Sequence, residues 1–125
     1  LHTTLAGAVR AFYDATVELG VQNDVTAFTA SDFGRTLAVN GDGSDHGWGA
    51  HHFVVGGAVN GNRIVGDIPP PVVNHDQDSG SGRLIPTTSV EQFAASLAAW
   101  FGLTAGEIQA ALPNLGSFSG PIDLF

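Results

Sequence analysis

The run from Val25 to Ala30, Val-Thr-Ala-Phe-Thr-Ala, constrains the fold most, because it is short, β-branched and uncharged. A run of this kind suits a strand that is buried on both faces, as in a parallel sheet. Residues 4–19 precede it and carry apolar side chains at spacings of three and four, which predicts a helix ending at Gly20. A helix followed by a buried strand is half of a βαβ unit, so we predict an α/β fold whose preceding strand lies elsewhere.

Residues 31–51 have no apolar period and are rich in Gly, Asp and His. The sequence predicts a long glycine-rich loop at the C-terminal end of the strand, which is where ligands bind in open α/β sheets. Long loops in compact domains are more often functional than idle. We therefore expect the chemistry of this chain in this segment.

The middle of the chain is predicted to hold a hairpin and a surface segment. Asn-Gly-Asn at 60–62 is a hairpin signal between short strands at 52–59 and 63–65. Residues 67–83 contain three consecutive prolines and a Ser/Gly-rich stretch, which predicts a mobile surface excursion. The helix at 4–19 and a second amphipathic helix near the C-terminus both need a sheet to pack on. One strand and one hairpin supply only a small part of such a sheet. We expect a missing N-terminal part or a partner chain to complete the sheet.

Two helices are predicted near the C-terminus from capping boxes. Thr88 with Glu91 begins the first, over residues 89–101, and Thr104 with Glu107 begins a shorter one. The buried face of the first helix is predicted to carry large apolar side chains: Phe93, Leu97, Trp100 and Phe101.

The charge and composition exclude several classes of partner. The net charge is -8, lysine is absent, and the four basic residues are arginines, so no positive stripe for nucleic acid can form. No apolar run is long enough to suggest a membrane span. The chain begins at Leu1 and contains no Met, so we expect residues 1–125 to be one C-terminal segment of a larger α/β domain.

The candidate ligands are the carboxylates and imidazoles of residues 31–51, which together are the groups that zinc, iron or manganese sites use. Calcium is a further candidate through the carboxylates alone. In a glycine-flanked loop, Asp45 and His46 can both turn inward, whereas adjacent His51 and His52 cannot easily share one ion. The alternative for Asn40 and Asp42 is that they form only Asx turns. Arg35 is either a salt-bridge partner or a holder of oxyanions.

Three phrases resemble the domain-of-unknown-function family numbered 1501: Phe-Thr-Ala-Ser-Asp-Phe-Gly-Arg-Thr at 28–36, Gly-Ser-Asp-His-Gly-Trp-Gly at 43–49, and Arg-Leu-Ile-Pro-Thr-Thr-Ser-Val at 83–90. Members of that family are longer, exported bacterial proteins placed near the alkaline phosphatase and sulfatase superfamily. The resemblance implies the C-terminal portion of an alkaline-phosphatase-like layered sheet, and an exported, periplasmic or extracellular location.

The resemblance also implies roles for residues. Asp32 matches the aspartate of the superfamily's Asp-His pair and His46 matches the later histidine, so both are expected to bind a divalent metal ion. Asp45 and His51 are further candidate ligands, and Arg35 is the candidate catalytic oxyanion clamp. Phe33 stands where the paired histidine is expected.

Two classes of function follow from this resemblance. One is metal-assisted hydrolysis of a phosphate or sulfate ester by the intact protein, with no turnover by residues 1–125 alone. The other is a non-catalytic exported module, or a subunit of an envelope assembly, that keeps the fold without activity. Phe33 favours the second class, because it removes an imidazole.

Overall fold

A computed structural model describes residues 2–125 of the chain. In chain order the elements are α1 (His2–Glu18), β1 (Thr26–Phe28), β2 (Gly34–Asn40), β3 (Gly43–Gly47), β4 (Val54–Gly56), α2 (Val90–Phe101), α3 (Ala105–Ala111) and a 3-10 turn at Leu115–Ser117. The prediction of a mixed α/β fold is confirmed. No helix within the described residues has both the length and the apolar character that crossing a membrane requires.

The contacts divide the chain into two units, which we describe separately. The first comprises residues 2–30, 52–62 and Phe125. The second comprises residues 31–51 and 63–124. All of the candidate site residues lie in the second unit.

In the first unit, α1 lies beside a two-stranded antiparallel sheet of β1 and β4. Gly20 ends the helix in the left-handed region at φ 73°, as its sequence predicts, and the Val21 N–H donates to the Thr16 carbonyl oxygen. The strand predicted at 25–30 exists, but its register pairs Ala27 with Val55 in an antiparallel ladder. The expected parallel pairing is therefore wrong for these residues.

The hairpin predicted around residues 60–62 is also wrong. Asn62 does adopt a left-handed conformation, at φ 58°, yet residues 63–65 form no strand. β4 instead pairs with β1, an element almost thirty residues earlier in the chain. The turn after β4 lies earlier than predicted, where the Val59 N–H donates to the Gly56 carbonyl, and the local sequence could not identify the strand that β4 pairs with.

The second unit begins with a β2–β3 hairpin, so residues 31–51 are not one long loop. Its small core comprises Ala95, Ile108 and Leu115, against which Leu103 and Leu112 pack. α2 begins one residue later than predicted. Ser89 is its N-cap, in a capping box with Gln92 rather than one formed by Thr88 and Glu91. The box of Thr104 with Glu107 forms as predicted.

The buried face of α2 is more polar than its sequence suggests. Its buried residues are Gln92, Ala95 and Ser96, whereas Phe101 is 78% exposed and Phe93 is only half-buried. The prediction that Phe101 is buried is wrong. Gly102 ends the helix immediately after Phe101, and the core lies on the side of the helix that carries Ala95.

Two buried polar side chains of α2 hold the C-terminal residues of the second unit. The Gln92 amide nitrogen donates to Ser119 Oγ at 3.1 Å and to the Gly120 carbonyl at 3.0 Å. The Ser96 hydroxyl donates to the Ile122 carbonyl at 2.7 Å. These bonds give partners to buried groups that would otherwise be costly to desolvate.

We predict that Gln92→Ala lowers the free energy of unfolding by about 1–3 kcal/mol, because it removes a buried amide group whose two hydrogen bonds hold residues 119 and 120. Gln109→Ala is the matched control. Gln109 is exposed on α3 and makes one bond of 3.3 Å, so its loss should stay below about 0.5 kcal/mol. Denaturant titration of both variants measures the difference. Equal losses of unfolding free energy in the two variants would contradict the stabilising role of the Gln92 hydrogen bonds.

Candidate functional site

The β2–β3 hairpin has an irregular register that determines where its side chains point. Arg35 pairs with His46, and the next pair is Val39 with Ser44. Residues 36–38 of β2 therefore lie opposite Asp45 alone. This is a β-bulge, a feature that commonly lies beside functional sites and redirects side chains there.

Glycines allow the close approach at the base of this hairpin. A Cβ atom on Gly34 would lie 1.7 Å from the Gly49 carbonyl oxygen, and one on Gly47 would lie 2.9 Å from the Arg35 carbonyl carbon. Neither φ is positive. The requirement is therefore one of space rather than of backbone conformation.

Three side chains meet on one face of the hairpin, which we call the Arg35–His46 face (Phe33, Arg35 and His46). The imidazole of His46 stacks on the Phe33 ring, with centroids 3.9 Å apart and planes inclined by 17°. The Arg35 guanidinium lies over the same ring, 5.1 Å from its centroid. Arg35 Nη1 also donates to the Ser44 carbonyl at 2.8 Å, which fixes the side chain along the hairpin.

Asp45 points away from this face. It is adjacent to His46 in β3, and successive side chains of a strand point to opposite sides. Its carboxylate accepts a hydrogen bond from Asn40 and lies 3.6 Å from Arg83 Nη2. The expectation that Asp45 and His46 turn inward together depended on a loop, and the segment is a strand.

The remaining predicted residues lie at the ends of the hairpin. Asp32 and His51 are exposed, and no ion pair within residues 2–125 joins Asp32 to Arg35. Phe33, which follows Asp32, contacts both His46 and Arg35. The structure thus brings together Arg35 and His46, but not the whole predicted set.

A turn from the segment 67–83 docks on the bulge. The Gly82 and Ser81 carbonyls accept hydrogen bonds from the N–H groups of Leu37 and Ala38, at 3.1 and 3.2 Å. The Asp78 carboxylate holds this turn by accepting the backbone N–H groups of three residues at 2.8–2.9 Å: Asn74, Gly80 and Gly82. The mobility predicted for 67–83 stays a prediction.

The model of a family described as proteins of unknown function, DUF1501, matches residues 1–109. The chain belongs to the DUF1501 family. This membership confirms the resemblance seen in the motifs. No curated protein and no solved structure matches the chain.

The described residues of this DUF1501 chain do not by themselves fit a complete metal site. A divalent ion needs several converging carboxylate or imidazole ligands. Within residues 2–125, no group of three or more such side chains lies close enough to hold an ion. Asp45 is moreover engaged by Arg83 and Asn40.

Sequence reasoning missed Asp78 and Arg83 because both lie in the segment assigned to the mobile excursion. The available signal was the spacing Asp-Ser-Gly-Ser-Gly at 78–82, since an aspartate readily accepts the N–H groups of residues that follow it. It also missed the stacking role of Phe33, which was considered only as a lost histidine.

We predict that Gly34→Ala destabilises the hairpin by about 1–3 kcal/mol or more, because the added methyl group would overlap the Gly49 carbonyl. Gly43→Ala is the control within the same hairpin. Its methyl group would meet no atom within 4 Å, so the change should stay within about 0.5 kcal/mol. Hydrogen exchange of the β2 and β3 amides measures both variants. Equal protection in the two would show that the approach at Gly34 is not tight.

A second prediction concerns acid stability. The pKa of Asp78 is lowered from its ordinary value of 3.8, chiefly because the carboxylate accepts the Asn74 N–H, with Gly80 and Gly82 contributing. A carboxyl whose pKa is lower in the folded state stabilises the fold above its unfolded pKa. That stabilisation is lost as the pH falls through the folded value.

Asp78→Asn should therefore be less stable than the unmodified chain near neutral pH, and the difference should shrink as the pH falls below 3.8. Asp76→Asn, an exposed change in the same segment that leaves the hydrogen bonds of Asp78 in place, is the control. Denaturant midpoints measured across this pH range provide the check. A difference that is independent of pH would contradict the ionised role of Asp78.

Proposed function

We propose that this chain is the oxyanion-binding part of a phosphate or sulfate ester hydrolase-like protein. The observation that supports this is the pairing of Arg35 with His46 on one exposed face of the hairpin. A guanidinium and an imidazole can both donate hydrogen bonds to the oxygens of a phosphate or sulfate group.

The details of the Arg35 side chain support this role. Its bond to the Ser44 carbonyl uses Nη1, and within residues 2–125 no hydrogen bond engages Nε or Nη2. The Phe33 ring beneath the guanidinium restricts its motion without neutralising its charge. An arginine held in this way can bind an anion with less loss of side-chain entropy.

In this proposal Arg35 binds and orients the ester oxyanion, and His46 donates a second hydrogen bond beside it. Asp32, at the start of the hairpin, is a candidate carboxylate ligand for a divalent ion. An ion held by Asp32 and His46, with His51 as a further candidate, would polarise the ester oxygen. It would require ligands beyond those that the described residues bring together. The alkaline-phosphatase-like layering and the exported location are part of the same proposal and are supported by the resemblance.

A non-catalytic module is the second candidate function, and two observations favour it. The Phe33 ring covers one face of His46 at stacking distance, and Asp45 is already held by Arg83. A protein of this kind would keep the fold, and perform a binding or assembly role without turnover.

We also infer that further polypeptide, from the same protein or from a partner, covers part of this chain. Within residues 2–125 each of the two sheets has two strands, and large apolar side chains are exposed: Phe12 by 51%, Leu19 by 75% and Val39 by 83%. Isolated two-stranded sheets are marginal in water, and exposed apolar side chains favour burial against a partner.

We predict that Arg35→Gln weakens binding of inorganic phosphate by about tenfold, because it removes a charged hydrogen-bond donor. Arg10→Gln is the control, since Arg10 lies on α1 in the other unit and pairs with Asp14 at 2.8 Å. Titration followed by the amide chemical shifts of β2 and β3 gives both affinities. An equal effect of the two substitutions would indicate unspecific charge attraction and would contradict the assignment.

Metal analysis and an ester assay separate the candidate functions. Bound zinc, manganese or calcium that is lost in His46→Ala would support metal-assisted hydrolysis. Hydrolysis of aryl phosphate or aryl sulfate by the intact, full-length protein, abolished by Arg35→Gln, would support the hydrolase. Phosphate binding without metal and without turnover would support the non-catalytic module.

A further inference from the structure

The bulge in β2 has unusual hydrogen bonding. In a regular hairpin the N–H groups of residues 36–38 would face β3 or solvent, but here Asp45 is the only β3 residue opposite them. The Leu37 and Ala38 N–H groups donate instead to the carbonyls of Gly82 and Ser81. The turn therefore supplies acceptors that β3 does not provide.

The same turn contacts β3 on the far side of the Arg35–His46 face. Arg83 Nη2 lies 3.6 Å from the carboxylate of Asp45, the residue opposite the bulge. Arg83 Nη1 also donates to the Gly80 carbonyl at 3.1 Å, so the arginine is fixed to the turn that it belongs to. One turn thus engages both strands at the point where their register shifts.

Asp78 determines the shape of this turn. Its Oδ1 accepts from Gly80 and Gly82 at 2.8 and 2.9 Å, while its Oδ2 accepts from Asn74 at 2.8 Å. Gly82 has a φ of 75°, a conformation that glycine adopts at little energetic cost. A Cβ atom at this position would lie 2.5 Å from Leu37 Cβ. The Asp78 carboxylate holds Gly82 against β2. Arg83, the residue after Gly82, reaches Asp45.

We propose that Asp78 is a positioning residue for the Arg35–His46 face, acting through the docked turn of residues 79–83. This inference rests on the proposed function for its purpose, but its structural content is independent. The register of β2 decides which face carries Arg35. A slip of one residue would move Arg35 to the opposite face, away from His46 and Phe33.

Such a slip would change the pairing at the bulge, because β2 has two more residues than β3 between the Arg35–His46 pair and the Val39–Ser44 pair. Without the turn, the Leu37 and Ala38 N–H groups lose their acceptors, and the bulged register loses its advantage over a shifted one. The turn therefore stabilises one register, and that register places the guanidinium and the imidazole on the same ring.

The test compares Asp78→Ala and Asp78→Asn with the control Asp76→Ala, using two readouts in the full chain. The first is the stack, detected as contacts between the Phe33 and His46 ring protons and as their ring-current shifts in NMR spectra. The second is the affinity for inorganic phosphate. Asn retains an oxygen for Gly80 and Gly82 but lacks the second acceptor that Asn74 uses, so it should be intermediate.

We expect Asp78→Ala to lose the ring contacts and to bind phosphate about tenfold more weakly, as is typical when a residue that orients a ligand group is removed. Asp76→Ala should match the unmodified chain. An intact stack and unchanged affinity in Asp78→Ala would overturn the inference. If that variant does not fold, Asp78→Asn decides, and values identical to those of the unmodified chain would overturn it.

The two readouts separate this inference from the proposed function. If the unmodified chain binds no phosphate but Asp78→Ala still loses the ring contacts, the oxyanion role fails and the positioning role stands. If phosphate binds at the Arg35–His46 face and all variants keep the stack, the proposed function stands and the positioning role fails.

Discussion

The close approach of the backbone at Gly34 is the constraint on which the rest of the hairpin depends. The Gly49 carbonyl lies where a Cβ of residue 34 would be, so the two segments can meet at this distance only if residue 34 has no side chain. That approach sets the pairing of Gly34 with Gly47, and therefore the pairing of Arg35 with His46 that follows it. Phe33 immediately precedes the contact, and its ring contacts both polar side chains. The geometry of the face thus follows from this steric requirement, together with the turn of residues 79–83 that docks on the bulge, rather than from the attraction between its side chains.

The helices were the most predictable elements because their signals are local. The capping box of Thr104 and Glu107 and the stop at Gly20 involve residues within one turn of each other, and both form as expected. The α2 cap differs by one residue, since Ser89 and Gln92 satisfy the same pattern as Thr88 and Glu91. Strand partners could not be predicted in this way. An uncharged β-branched run identified β1, but whether its partner runs parallel or antiparallel depends on a segment distant in sequence.

The candidate segment was predicted to be a loop but forms a hairpin, and composition is the reason for the difference. A hairpin that requires glycine for close packing has the same composition as a flexible loop, so Gly34, Gly47 and Gly49 concealed β2 and β3. The same ambiguity affects Asp78, because an aspartate among serines and glycines suggests mobility unless its own hydrogen bonds are known. A hairpin that requires glycine differs from a flexible loop in the positions of individual atoms. Those positions depend on contacts between residues far apart in the chain.

The charge of Arg35 bears on which ligand this face can accept. The distances of 3.9 and 5.1 Å to the Phe33 centroid place the guanidinium carbon at most about 9 Å from the imidazole centroid. At that separation, a divalent cation and a guanidinium repel by about 4 kcal/mol for an effective dielectric constant of about 20, and by about 1 kcal/mol in bulk water. A doubly charged oxyanion at the same separation would be attracted to the guanidinium by an equal amount. The carboxylate that might offset the repulsion, Asp45, lies on the other face and is paired with Arg83. A metal ion at His46 would therefore need a carboxylate such as Asp32 close by, whereas the charge of Arg35 attracts an oxyanion without such a partner.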